Sequence, residues 1–360
     1  MTMTAATLDI AKARLHAQHL VRPLATPVDV VAHLLAVQSQ DYPGAAWALA
    51  QRAKATTAET VDTAFAAGTI LRTHVMRPTW HFVTPADARW LLELTGPRVQ
   101  KANTYWYKQV GLTAATLAKT DAALADALRG GNFLTRDELA ARLPRKLSGV
   151  PMAHVMMHAE LERVVISGPR RGKQFTYALF DERVPASPAL TRDDALARIA
   201  TRYVTSHGPA QVKDFVWWSG LGAGDARRAL ELAGFDVHEV GSARYYVAVQ
   251  PSRRLTLADP TVHLLPNYDE CLVAFADRSD ACDPRVKQKK VSVLSGHFVI
   301  SNGKLIGGWR RGHTTKKALV IRATLLAKAT RAELSAMKGA ADQLGTFLGT
   351  PTRIEIAYAT

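Results

Sequence analysis

Apolar residues at helical spacing, closed by two β-rich runs, recur three times along the chain before its character changes. In the first copy Leu8, Ile10, Leu15, Leu20 and Val21 mark a helix ended by Pro23. Thr26-Pro27 then reads as the N-cap and first position of a second helix through Val30, Val31, Leu34 and Leu35. A third helix is expected over 45–54, and a fourth opens at Thr57 and closes at Gly68. Residues 70–73 and 79–83, joined through Met76-Arg77-Pro78, suit a β-hairpin; helices followed by a hairpin is the order of a winged helix.

A helix from Thr84-Pro85 through Trp90, Leu91 and Leu94 is expected to stop at Gly96-Pro97. Residues 99–110 interleave Lys101, Tyr105, Trp106, Tyr107 and Lys108, which can stack on bases, although packing on a neighbouring helix is the commoner use. The second copy has a helix over 113–128, a break at Gly130-Gly131, a capping box at Thr135-Arg136-Asp137-Glu138 and a helix over 151–165. Its hairpin, over 166–180, carries Arg170, Arg171 and Lys173 at the tip, suited to a phosphate backbone or a minor groove, or else simply solvated. The third copy follows a linker at 185–188, with helices over 190–206, 210–219 and 223–232 and a β-rich run over 236–249. One such repeat is weak evidence; three of one grammar carry more weight.

Beyond residue 250 the pattern changes to β-rich runs at 255–257, 262–265, 291–300, 304–309 and 317–321, a helix over 331–348 and a last strand at 353–357. One loop there holds Arg285, Lys287, Lys289 and Lys290, and another Arg310, Arg311, His313, Lys316 and Lys317. The expected fold class is therefore α+β: winged helices over 1–112, 113–188 and 189–250, then a β-rich module over 251–360.

Composition narrows the partner. Lys and Arg number 46 against 31 Asp and Glu, a net charge of +15, which favours a polyanion, nucleic acid before membrane. Cys271 and Cys282 form no CxxC pair and have no clustered histidines, so neither a disulfide scaffold nor a structural zinc site is expected, and no cofactor. The first twenty residues lack an apolar signal core, and no run reaches transmembrane length, so a reduced, cytoplasmic protein is expected. Phosphate-binding glycine loops, kinase signatures and metal-ligand motifs are absent.

The stretch of greatest chemical interest is Val37-Gln38-Ser39-Gln40-Asp41-Tyr42-Pro43-Gly44. Inside a helix, residues i and i+2 diverge, so Gln38 and Gln40 can converge only where the helix ends or the backbone extends. Pro43-Gly44, matching the centre of a type II turn, is read as that exit. Two glutamines at a helix end are otherwise a cap or solvated amides, and Asp41 is read as a turn residue.

Gln38-Ser39-Gln40 with Ala46-Trp47-Ala48-Leu49, Leu71-Arg72-Thr73, Met76-Arg77-Pro78-Thr79-Trp80-His81, His207-Gly208-Pro209-Ala210, Asp214-Phe215-Val216-Trp217-Trp218, 264–270 and Gly307-Gly308-Trp309-Arg310-Arg311 together resemble the AlkZ/YcaQ-type bacterial DNA glycosylases. The resemblance implies three tandem winged helices and a β-rich module in a C-shaped monomer around duplex DNA, with a glutamine motif holding the hydrolytic water. Gln38 and Gln40 match its outer positions; Ser39 departs from the usual aliphatic residue between them. Two amides suit this chemistry. An N7- or N3-alkylated purine is already cationic and leaves readily, so no general acid is required, unlike in sugar hydrolases. Positioning a water remains, and proximity supplies up to about 7–11 kcal/mol in ideal cases. The expectation is a monofunctional glycosylase for bulky alkylpurines, crosslinks or natural-product adducts, with catalytic residues Gln38 and Gln40. Expected DNA contacts are Arg77, Arg170, Arg171, Lys173, Arg310 and Arg311; the partner is duplex DNA containing alkylated purines, with no membrane and no obligate protein partner. The alternative is a non-catalytic winged-helix DNA-binding protein, a regulator or a lesion-binding resistance factor; a lyase is a weaker third reading, since no lysine stands out as a Schiff-base nucleophile.

Overall fold

The computed structural model describes residues 8–248, 260–286, 296–314 and 318–359. The expected strand at 255–257, and Lys287, Lys289, Lys290, Lys316 and Lys317, lie outside them.

The first repeat follows α1 (Ile10–Ala17) and comprises α2 (Pro27–Leu34), β1 (Val37–Gln38), α3 (Tyr42–Ala50), α4 (Ala58–Ala67), β2 (Leu71–Val75) and β3 (Arg77–Val83). Thr26 caps α2 in a box with Asp29, and Val30, Val31 and Leu34 form its buried face. Leu35, at φ 69°, ends the helix in the left-handed region and turns the chain into β1. Gly68, at φ 79°, closes α4 as expected. Two expectations change. Pro43 and Gly44 are no turn; they lie in the first turn of α3, where proline's missing N–H costs nothing. Gly96-Pro97 does not stop α5, which runs from Pro85 to Gln109. Burial on both sides of Pro97, from Leu91, Leu92 and Leu94 to Val99 and Asn103, outweighs the one lost hydrogen bond. Gly96 also permits close approach, since a Cβ there would stand 3.2 Å from the Leu161 carbonyl oxygen.

The second repeat comprises α6 (Ala114–Leu128), β4 (Leu134–Thr135), α7 (Arg136–Ala140), α8 (Gly149–Leu161), β5 (Val165–Ser167) and β6 (Thr176–Leu179), followed by α9 (Phe180–Arg183). The third comprises α10 (Arg192–His207), α11 (Val212–Ser219), α12 (Ala223–Ala233), β7 (Asp236–Val240) and β8 (Ala243–Val247). In each, a short extended segment precedes two helices and a hairpin, and pairs back onto the hairpin's second strand: β1 on β3, β4 on β6, and Ala210 on Tyr246 of β8.

The C-terminal part contains β9 (Val262–Leu265), α13 (Glu270–Val273), β10 (His297–Ser301), β11 (Lys304–Thr314), β12 (Leu319–Leu325), α14 (Arg331–Leu348) and β13 (Thr352–Tyr358). Its five strands are ordered β13-β12-β11-β10-β9, antiparallel except for β12 beside β13. The sheet and α14 share one apolar core with α2, α3 and α4, while α5 shares another with the third repeat. Trp47 of α3 is sealed into the first core and donates through Nε1 to the Leu264 carbonyl at 2.7 Å. The glutamine stretch therefore sits where the first repeat meets the C-terminal sheet, on rigid supports.

Candidate active site

The glutamine stretch leaves α2 through the short strand β1. Gln38 pairs with His81 across β1 and β3, and Ser39 N continues the ladder by donating to the Trp80 carbonyl at 2.7 Å. Side chains alternate along a strand, so Gln38 lies on the His81 side of the sheet and Ser39 on the Trp80 side, while Gln40 follows at a bend. Gln38 is 7% exposed, Gln40 is exposed and Ser39 is fully buried. One amide is thus anchored inside while its neighbour reaches solvent. Among the described residues, Gln38 Oε1, Ser39 Oγ, Thr79 Oγ1 and Arg77 Nε are buried without a hydrogen-bond partner. Buried polar atoms are nearly always paired, so these four near one strand end mark it as a candidate site.

The motif is held from behind by Glu270, which the sequence showed only inside a family stretch. This carboxylate is 1% exposed; Oε1 accepts from Gln38 N at 2.8 Å and Oε2 from Trp218 Nε1 at 3.2 Å. His207 Nε2 stands 3.5 Å from the same Oε2. The neighbouring Asp269 accepts both Arg52 guanidinium nitrogens, at 2.9 and 2.7 Å, in an ion pair that is essentially sealed from solvent. Removing one partner of such a pair costs about 3–5 kcal/mol, because it strands a buried charge. Arg52 lies just past α3 and Asp269 caps α13, so this bridge fixes the Glu270 loop against the first repeat. Opposite Gln38, the fully buried His81 is held neutral: burial, then the Arg77 charge, push its pKa well down.

The expected DNA contacts differ in availability. Lys173 is exposed, as are Arg310 and Arg311, which lie in β11 rather than in a loop. Arg170 is pinned between Asp62, at 3.2 Å, and the Tyr42 ring. Arg171 pairs with Glu138 at 2.8 Å and donates to the Phe133 carbonyl. Arg77 is half-buried, with Nη2 3.5 Å from His81 Nε2 and its guanidinium near the Trp217 ring. Arg285 is bound by Asp283 and Glu333. On α5, Tyr107 packs inside, whereas Tyr105 and Trp106 face solvent edge to face, so packing accounts for only one of the three. Among the described residues no helix is long and apolar enough to cross a membrane, and no group of three or more His, Cys, Asp or Glu could hold a metal ion.

Comparison with known proteins bears on the fold and the family. The family model described as DNA glycosylase AlkZ-like matches residues 31–347. An interstrand DNA cross-link repair glycosylase of Streptomyces sahachiroi is 25% identical over 301 residues, covering 78% of this chain and 81% of that protein. The solved structure of the Streptomyces sahachiroi DNA glycosylase AlkZ is similar with a TM-score of 0.78 at 22% identity, over 96% of this chain and 98% of that one. The match of fold and family over nearly the whole length makes this chain a DNA glycosylase of the AlkZ-like family.

Proposed function

We propose that this glycosylase hydrolyses the N-glycosidic bond of bulky N7- and N3-alkylpurines in duplex DNA, crosslinked purines and natural-product adducts included, with the attacking water held by Gln38 and Gln40. The observation that carries the proposal is the buried, unpartnered Oε1 of Gln38 two residues before the exposed Gln40, at the end of β1. Gln38 then accepts a hydrogen from the water while Gln40 orients it from the open side, and neither amide is basic enough to attack ordinary nucleotides. The cationic base leaves without a proton donor, and Glu270, fixed on Gln38 N, keeps the inner amide in place. The crosslink class is supported by the name of the Streptomyces relative.

In the same proposal the three repeats are winged helices that, with the β-rich module, form a C-shaped monomer around the duplex. Lys173, Arg310 and Arg311 carry phosphate contacts directly. Arg170 and Arg171 shape the tip of the second hairpin through their bonds to Asp62 and Glu138, and Arg77 borders the cleft. The test is base release from a panel of duplexes bearing N7- and N3-alkylpurines and one interstrand crosslink. Wild type is expected to leave abasic sites, and the Gln38→Ala/Gln40→Ala variant to leave none at matched times. Equal release by both proteins would defeat the proposal.

A further inference from the structure

One pocket, on the face of β2 and β3 opposite Gln38 and His81, has a chemistry of its own. It encloses about 330 Å³ between the first and second repeats, and Arg72, Trp80, Arg136, Lys173 and Tyr177 line it, with Asp137 as the one carboxylate. Arg72 is 7% exposed, its Cζ lying 4.3 Å from the Trp80 ring centre and 4.4 Å from that of Phe175. Its Nε donates to the Ser39 carbonyl at 3.1 Å, which fixes the guanidinium one residue from Gln40. The two terminal nitrogens have no hydrogen-bond partner among the described residues. Glu160 makes no contact ion pair with Arg72, its oxygens accepting from His74 N at 2.8 Å, from the His74 ring and, at 3.4 Å, from Trp80 Nε1, and its charge reaches Arg72 only from a distance.

We propose that Arg72 is a phosphate clamp: its free edge, with Lys173 and Arg136 at the rim, binds one backbone phosphodiester of the lesion strand beside Gln40. Two aromatic rings already crowd the guanidinium, which favours bonding through its edge, the geometry that matches two phosphate oxygens. A buried cation with no anion in contact is costly, and a phosphodiester supplies that contact. Asp137 is exposed at the rim, where solvent screens it. The position next to the lesion rests on the glutamine reading above; the anion site itself does not.

The test is a coupling experiment. Duplexes with one N7-methylguanine have each phosphodiester flanking the lesion replaced in turn by a neutral methylphosphonate, and binding is measured for wild type and for Arg72→Lys, which keeps the charge but loses the fork. One position is expected to weaken wild-type binding about 10-fold, and Arg72→Lys to weaken binding of the unmodified duplex by a similar factor. The two losses should not add. Losses that add at every position overturn the clamp. If Arg72→Lys lowers the unfolding midpoint, Lys173→Ala at the exposed rim runs the same cycle, with about 3-fold coupling expected and additivity again the overturning result. Base release by wild type from the all-phosphate duplex is scored separately, so the clamp and the glutamine reading fail independently.

Discussion

The first and second repeats share one order of elements, yet they use the exit from the short strand in opposite ways. In the second, Thr135 is both the last residue of β4 and the cap of α7: it accepts from Glu138 N at 3.3 Å, and Glu138 accepts from Thr135 N at 2.7 Å. The third repeat does much the same, with Asp214 accepting from Gln211 N at 3.0 Å. In the first repeat Ser39, Gln40 and Asp41 intervene between β1 and α3, and Asp41 makes no side-chain cap bond. Groups that close a helix end in two copies are left open in the other. The repeat supplies a strand and a helix start, and the three residues inserted at that one place leave Gln38 Oε1 and Ser39 Oγ buried without a partner and Gln40 exposed.

The sharpest way to break this comparison is to truncate the matched residues. Gln38→Ala should slow single-turnover base release by about 100-fold or more, as loss of a water-activating group does, while barely moving the denaturation midpoint, since its Oε1 has no partner to lose. Thr135→Ala should do the reverse, costing about 1 kcal/mol of stability with release unchanged. A stability loss of that size for Gln38→Ala would show that it too is a structural cap. Next comes Glu270→Gln. The carboxylate accepts at both oxygens, from Gln38 N and Trp218 Nε1, whereas an amide can accept at only one. The stranded donor should cost about 1–3 kcal/mol of stability. If Glu270 acts by positioning Gln38, release should fall about 10-fold in the wild-type background and no further in Gln38→Ala. An additive loss would give Glu270 a role of its own.

Local signals made much of this legible. The cap at Thr135, the stop at Gly68 and the helix Arg331–Leu348 stand where the sequence puts them, because capping chemistry and apolar periodicity act within a few residues. Pro43-Gly44 misled because proline suits a turn and the first turn of a helix equally, and the burial of residues from Ala45 to Ala50 decided for the helix. Gly96-Pro97 misled because its local cost was outbid by packing on both sides. Glu270 was invisible as a site residue: it meets Gln38 across 232 positions, and no spacing rule reaches that far. Free and paired cations were equally opaque, since Arg170 finds Asp62 across 108 positions of chain.

The smallest expected effect concerns pH, and it asks whether the residue facing the glutamine behaves like its counterpart. Across β4 and β6, Thr135 faces Thr176, which cannot titrate; across β1 and β3, Gln38 faces His81, which ordinarily would. Burial and Arg77 keep His81 neutral far below the usual histidine range, so both repeats present an uncharged partner in neutral solution. With two amides and a leaving base that needs no acid, single-turnover release by folded protein should vary less than about 2-fold between pH 8 and 6. Stability should not be flat. His33 and His263 are pushed by burial down to about 4, so between an unfolded value of about 6.5 and that point the unfolded chain binds more protons than the native one. Their contribution is complete above pH 6.5 and is lost as pH falls towards 4, with His81 acting in the same direction. Urea melts across that range should show the decline while the release rate of the protein still folded holds steady. A release step centred near pH 6.5 would instead mean that His81 titrates in the cleft, and the likeness between the two strand partners would fail there.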